Sequence, residues 1–252
     1  MLQSMIVAFS MYSKIPMPKI TWTQKNMKYA LCFFPMVGAA VALILMSVLW
    51  LCEKAKFGTV FTASAATLVP VLVTGGIHLD GYLDTIDALS SYGDKEKKLE
   101  ILKDSNSGAF AIIYGLVYFV TNIAVWTEIQ KEALPFVCIS FVISRTLSGL
   151  SIVSFPLAKN TGLVAAFQDG AQKKNVKIVL LTLLFLAWGV SLFLHPVYGG
   201  VVLVLSVISF RIHYDLCKRK FGGITGDLAG FFLQICELMI LLGLMLCCKI
   251  KV

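Results

Sequence analysis

The chain is 252 residues long, 58% hydrophobic and 14% charged, with a formal net charge of +8. Its mean hydropathy of +0.83 lies far from the balance of a water-soluble chain and marks an integral membrane protein. Retention of Lys and Arg on one membrane face, next to anionic lipid, accounts for the positive charge, so a nucleic-acid role is excluded.

Taken in chain order, the apolar segment Leu2–Tyr12 ends in SKIPMPKI, where Pro16 and Pro18 stop any helix. It is expected to lie in the membrane interface or to re-enter the membrane. It is not read as a secretory signal, because the first positive charge, Lys14, follows the apolar run instead of preceding it. Seven stretches then approach the roughly 20 apolar residues that a spanning helix needs: 28–52, 57–76, 108–126, 133–155, 176–194, 196–210 and 228–248. The sixth is short and carries Gly199 and Gly200, the weakest pattern of the set. The expected fold is all-α: one polytopic membrane bundle over residues 1–252, with about seven transmembrane helices and short interfacial ones.

Charge bias supplies the orientation. With the N-terminus inside, alternate segments on that side hold 16 of the 22 basic residues. They are Lys14 to Lys28, Lys95 to Lys103, Lys159 to Lys177, and Arg211 to Lys220. The two polar regions 77–107 and 211–227 then face the cytoplasm, and the expected location is the cell (inner) membrane. The seven cysteines are scattered through apolar sequence with no CxxC spacing, which reads as core packing and not as a zinc site or disulfide framework.

The densest chemistry follows the second span, in GGIHLDGYLDTIDAL (75–89). Gly75 and Gly76 permit a sharp bend before an amphipathic helix. Asp80, Asp84 and Asp87 recur at i, i+4 and i+7, within roughly 60° of one helix face, so they repel one another unless a cation sits among them. An oxygen-only donor set favours Mg²⁺ or Mn²⁺, the ions of phosphoryl chemistry. His78 adds a general-base or ligand candidate beside them. Asp104 and Ser105 stand just before the third span, where a helix N-terminus suits a phosphate and Asp104 adds a carboxylate. In KRKFGGITGDLAG (218–230), Gly222, Gly223 and Gly226 allow close backbone approach to a ligand, Thr225 offers a hydroxyl, and Asp227 opens the last span. Within the spans, Arg145 and Glu237 lie at matched depth and are expected to pair, since either charge alone is costly there.

These motifs resemble the cobalamin synthase family, the adenosylcobinamide-GDP ribazoletransferases. The likeness runs through FSMYSKIPMP, FFPMVG, GGIHLDGYLDTIDAL, KDSNSGAF, SRTLSG around Arg145, and GGITGD followed by Glu237. Where that family usually has Arg after KDS, this chain has Asn106. The resemblance implies that a ribose hydroxyl of α-ribazole, or of its 5′-phosphate, attacks the corrinoid-side phosphorus of adenosylcobinamide-GDP and expels GMP. It implies Mg²⁺ (or Mn²⁺) on Asp80, Asp84 and Asp87 with Asp227 as a further ligand, and Asp104, Ser105, Arg145 and the glycine loop toward substrate. Partners are then the two substrates and the lipid bilayer, with no nucleic acid; a homo-oligomer is left open. A CDP-alcohol phosphotransferase shares the aspartate-rich membrane helix, but its later GxxxDxxxD pattern is missing. A secondary transporter would put its binding groups near mid-membrane in two repeated halves, and neither is seen.

Overall fold

The computed structural model describes residues 1–104, 106–159, 163–170 and 172–250. Twelve helices follow one another among them. A short apolar helix α1 (Leu2–Tyr12) and a single turn α2 (Gln24–Met27) precede α3 (Phe34–Lys54) and α4 (Thr59–Thr74). Next come α5 (Ile77–Ser90), the short α6 (Lys95–Ile101), α7 (Ala109–Trp126) and α8 (Leu134–Ser154). The chain closes with α9 (Leu163–Gly170), α10 (Lys173–Leu194), α11 (Pro196–Leu216) and α12 (Gly226–Ile250). Six helical stretches are long and apolar enough to cross a membrane, and α4 passes the same test only when counted together with α5, across a bend of 96°. The polytopic bundle expected from the sequence is the fold.

The bend has a local cause. Gly75 and Gly76 both adopt the left-handed conformation, at φ 65° and 80°, which side-chain-bearing residues resist. The chain therefore leaves α4 and turns sharply into α5. Lys14 N–H donates to Val73 O at 2.7 Å and ties the end of the α1 segment to the same corner.

Helix α8 is the axis of the bundle, with nearly all its side chains from Ser140 to Val153 buried against α3, α10 and α12. Gly38 lets α3 lie against α8, since a Cβ there would overlap the carbonyl of Phe141. Exposed Leu43, Val60, Phe61, Leu116, Phe185 and Phe193 form an apolar exterior suited to lipid. All seven cysteines are free.

The sixth span departs from expectation. It does not stop near residue 210 but continues as α helix to Leu216 and ends in a π-helical turn, Cys217–Phe221. Exposed pairs of Asp215 with Arg211 and Arg219 lace this extension. Gly199 is a packing device there, because a Cβ would collide with the backbone of Ser191 where α10 and α11 form their hairpin.

Inside the bundle, Arg145 is 1% exposed and pairs with Glu237, as matched depth predicts. Ser144 Oγ donates to the same carboxylate oxygen at 2.7 Å. Removing either partner strands a charge away from water, so Arg145→Ala and Glu237→Ala should each destabilise by about 3 kcal/mol. Denaturation of the double variant in detergent should show a loss smaller than the two single losses combined; simple additivity would mean that the pair is not energetically coupled.

Candidate active site

Helix α5 is held where it crosses the beginning of α12, at two glycines. A Cβ on Gly81 would lie 2.7 Å from the carbonyl oxygen of Asp227, and one on Gly230 would lie 3.2 Å from that of His78. A side chain at Gly81 would force the backbones apart, and one at Gly230 would crowd them. Tyr82 stacks on Phe231, with ring centroids 5.7 Å apart, and packs against Tyr118 of α7. Leu79, Leu83, Ile86 and Leu89 surround that aromatic cluster, so the apolar stripe of α5 faces the bundle. The acidic stripe is thereby brought to Asp227.

The carboxylates divide by role. Asp80 and Asp227 line a common cavity. Asp84 is half-buried, and burial followed by repulsion from Asp80, Asp227 and Asp87 pushes its carboxyl up to about 6. Asp87 is committed elsewhere: it accepts the backbone N–H groups of Gly108 at 2.5 Å and Ala111 at 2.8 Å. It thus caps the N-terminus of α7, whose own capping residue is a glycine without a side chain. Of the expected carboxylates Asp80, Asp84, Asp87 and Asp227, Asp87 caps α7, while Asp80 and Asp227 line the cavity and all three act on Asp84. Among the described residues, no three His, Cys, Asp or Glu side chains already converge around one point as a metal cage would require.

Asp104 stands apart. Its exposed carboxylate closes a local turn by accepting from Asn106 N at 3.0 Å and Nδ2 at 2.8 Å, and these bonds hold it below the ordinary carboxylate range. It does not line the cavity. Ser105 lies outside the described residues. Arg145, expected near substrate, is turned into the bundle toward Glu237 and does not line the cavity either.

The cavity measures about 360 Å³. The glycine loop forms one wall, and its glycines are not equivalent. Gly222 is left-handed at φ 77°. Ile224 pairs with Leu157 as an isolated parallel bridge, donating to Pro156 O at 2.8 Å and accepting from Ala158 at 3.2 Å. That pairing presses Gly223 onto residues 156–158 so closely that any Cβ would overlap their backbone. Gly226, by contrast, faces the cavity, and the nearest atom to an added Cβ would be Val164 Cγ2 at 3.9 Å. Thr225 Oγ1 accepts from Leu228 N at 3.2 Å and so caps α12.

Two lysines that sequence reading assigned only to the charge bias, Lys103 and Lys159, line the same cavity. Lys159 donates to Leu99 O at 2.6 Å. Burial and the neighbouring Lys103 push its ammonium below the ordinary value, while Asp227 opposes them. His78 is 3% exposed, stacks with Tyr12 and Phe34, and leaves Nε2 without a hydrogen-bond partner. Burial, reinforced by Arg145, holds it well below the ordinary imidazole range, so the ring is neutral. Lys103 had a legible signal in its place at the head of the KDS motif; Lys159, Tyr12 and Phe34 had none beyond proximity to prolines and aromatic motifs.

A bundle of apolar helices with one cavity lined by both carboxylates and lysines is a layout suited to an enzyme for anionic substrates. Residues 4–245 match the family described as cobalamin-5-phosphate synthase, and the chain belongs to that family. It is 43% identical over 94% of its length to the adenosylcobinamide-GDP ribazoletransferase of Lachnoclostridium phytofermentans, covering 91% of that protein. It is 32% identical to the enzymes of the same name from Clostridium perfringens, covering 94% of this chain and 96% of that one, and Treponema denticola, covering 95% and 96%. No solved structure matches.

The glycine loop yields a direct test. Gly223→Ala should lower the melting temperature markedly because it forces residues 156–158 away, whereas Gly226→Ala should leave melting nearly unchanged and reduce turnover. Equal thermal losses in the two variants would contradict the division of roles.

Proposed function

We propose that this chain transfers the corrinoid phosphate of adenosylcobinamide-GDP to a ribose hydroxyl of α-ribazole or its 5′-phosphate. The hydroxyl oxygen forms a new bond to the corrinoid-side phosphorus, the bond between that phosphorus and the bridging oxygen breaks, and GMP departs with that oxygen. The hydroxyl proton passes to a base on the protein. Family membership supports this reading, and the observation that carries it is the placing of Asp80, Asp227, Lys103 and Lys159 around one cavity. The names of the relatives favour it over the CDP-alcohol and transport readings.

The donor set fits a hard divalent cation. Asp80, Asp84 and Asp227 are oxygen donors, and burial together with their mutual repulsion raises Asp84. These three would hold Mg²⁺, or Mn²⁺ in its place; a bound ion supplies charge neutralisation at the phosphate oxygens. Lys103 and Lys159 bind the diphosphate in the same cavity and orient it. With Asp84 in the donor set, His78, whose Nε2 has no hydrogen-bond partner, is the group placed to take the proton. The positive-inside bias supports a cytoplasmic position for this end of the bundle in the cell membrane.

GMP release from both substrates by the purified chain tests the reaction. Asp80→Asn and Asp227→Asn should lower turnover by about 100-fold or more, and a chelator should abolish it, whereas Asp87→Asn should chiefly lower thermal stability through the lost cap on α7. Full activity in chelator would remove the metal from the reading.

Orientation is checked separately. A single cysteine at position 93 or 222, on a cysteine-free background, should resist an impermeant thiol reagent in intact cells and react after permeabilisation. Labelling from outside would invert the topology.

A further inference from the structure

Among the described residues only two basic side chains are buried, Arg145 and Lys98. Arg145 has Glu237 for a partner, whereas the partners of Lys98 are all neutral oxygens. Although α6 is otherwise mostly exposed, the Lys98 ammonium turns back against the end of α5. It donates to Ser91 O at 2.7 Å, Gly93 O at 2.7 Å and Ser91 Oγ at 3.3 Å. An ammonium has three donors, so all of them are matched. The neighbouring Lys95 and Lys97 are exposed and need no explanation beyond the positive-inside bias. That bias does not account for Lys98, because burial withdraws its charge from water at a cost that only specific hydrogen bonds offset.

The acceptors show what this clamp holds. Ser91 caps α5, its N–H donating to Asp87 O at 3.2 Å, so the ammonium sits at the carbonyl end of that helix, where positive charge is favoured. Beyond the clamp, Leu99 O of α6 accepts from Lys159 at 2.6 Å, and Leu102 and Lys103, directly after α6, line the cavity. Lys103 N–H donates to Glu100 O at 2.9 Å, which makes Lys103 an extension of the last turn. The clamp and the cavity lysine therefore ride on one rigid piece, separated by about 7.5 Å of helical rise. The chain regains α5 at Asp87, whose carboxylate caps α7. Lys98 and Asp87 thus pin to α5 the two ends of the excursion that presents Lys103.

Resting on the transfer reaction proposed above, we infer that Lys98 is a positioning residue for it: its ammonium fixes α6 on α5 so that Lys103 meets the anionic diphosphate in the cavity. Lys98 itself does not line the cavity. A cation suits this task because three charge-assisted hydrogen bonds from one atom hold a turn more firmly than the single bond of a hydroxyl. Loosening them leaves Lys103 chemically intact but displaced, and a displaced binding group captures and orients its substrate poorly.

A double-mutant cycle on the full chain, reconstituted in nanodiscs with Mg²⁺, tests this through the KM for adenosylcobinamide-GDP. Lys98→Met should raise that KM about tenfold and move the KM for α-ribazole by less than about twofold. Lys98→Arg, which keeps the charge and the donors, should recover most of the loss. In a Lys103→Ala background, Lys98→Met should change the KM by less than about twofold, because the group it positions is gone. Lys97→Met, which removes an exposed charge from the same helix, should have no effect. Equal factors from Lys98→Met in both backgrounds, or equal rises in the two KM values, would make Lys98 a general stabiliser and overturn the inference. If Lys98→Met does not accumulate as folded protein, Lys98→Gln enters the same cycle and is read by the same criteria. Lys103→Ala with an unaltered KM would also overturn it, by removing the group said to be positioned. Wild-type protein that releases no GMP from the two substrates would defeat the transfer reaction itself, a result separate from all of these.

Discussion

The site depends on one backbone contact, the crossing of α5 over the first turn of α12. Gly81 leaves no room for a side chain against the backbone of Asp227, Gly230 packs tightly on His78, and Asp80 and Asp84 are thereby brought near Asp227. Acidic groups held together by helix packing are electrostatically unfavourable, and burial, followed by repulsion from Asp80, Asp227 and Asp87, raises the Asp84 carboxyl. The crossing is sustained by the Tyr82, Tyr118 and Phe231 cluster on the far side of α5, whose burial offsets the repulsion on the near side. Aromatic packing on one face of α5 and charge concentration on the other are therefore two aspects of one arrangement.

Around that crossing, the remaining elements supply what the carboxylates lack. The bend at Gly75 and Gly76 frees α5 from the direction of α4, and the bridge between Ile224 and Leu157 fixes the glycine loop to the segment carrying Lys159. The segments bearing Lys159 and Asp227 are thus joined through two backbone hydrogen bonds instead of through an ion pair. Deeper in the bundle, the Arg145–Glu237 pair ties α8 to α12 below the cavity, so the helix bearing Asp227 is anchored within the apolar region as well as at its start.

Much of the fold was legible because membrane helices satisfy all their backbone groups internally and must be apolar over a fixed length. The pairing of Arg145 with Glu237 was legible for a related reason: an isolated charge at that depth is so unfavourable that matched positions imply contact. The roles of the aspartates were harder to read. Periodicity places Asp80, Asp84 and Asp87 on one face but says nothing about what the face meets, and Asp87 meets the uncapped start of α7. Gly223 and Gly226 look equivalent in sequence; only the position of residues 156–158 separates the packed glycine from the one facing the cavity. Lys159 was hidden by a background of basic residues that the positive-inside bias alone explains.

The walls of the cavity come from both extremes of the described chain, Tyr12 of α1 at one and Leu233 of α12 at the other. During synthesis α1 and the acidic helix emerge long before the segment that carries Asp227. Until α12 enters the bilayer and packs against α5, Asp80 faces no Asp227 and the cavity has no closing side. Biogenesis thus gates competence: insertion of the last helix assembles the fold and the reaction centre in the same event, and a chain interrupted before it carries the aspartate helix without a site to serve.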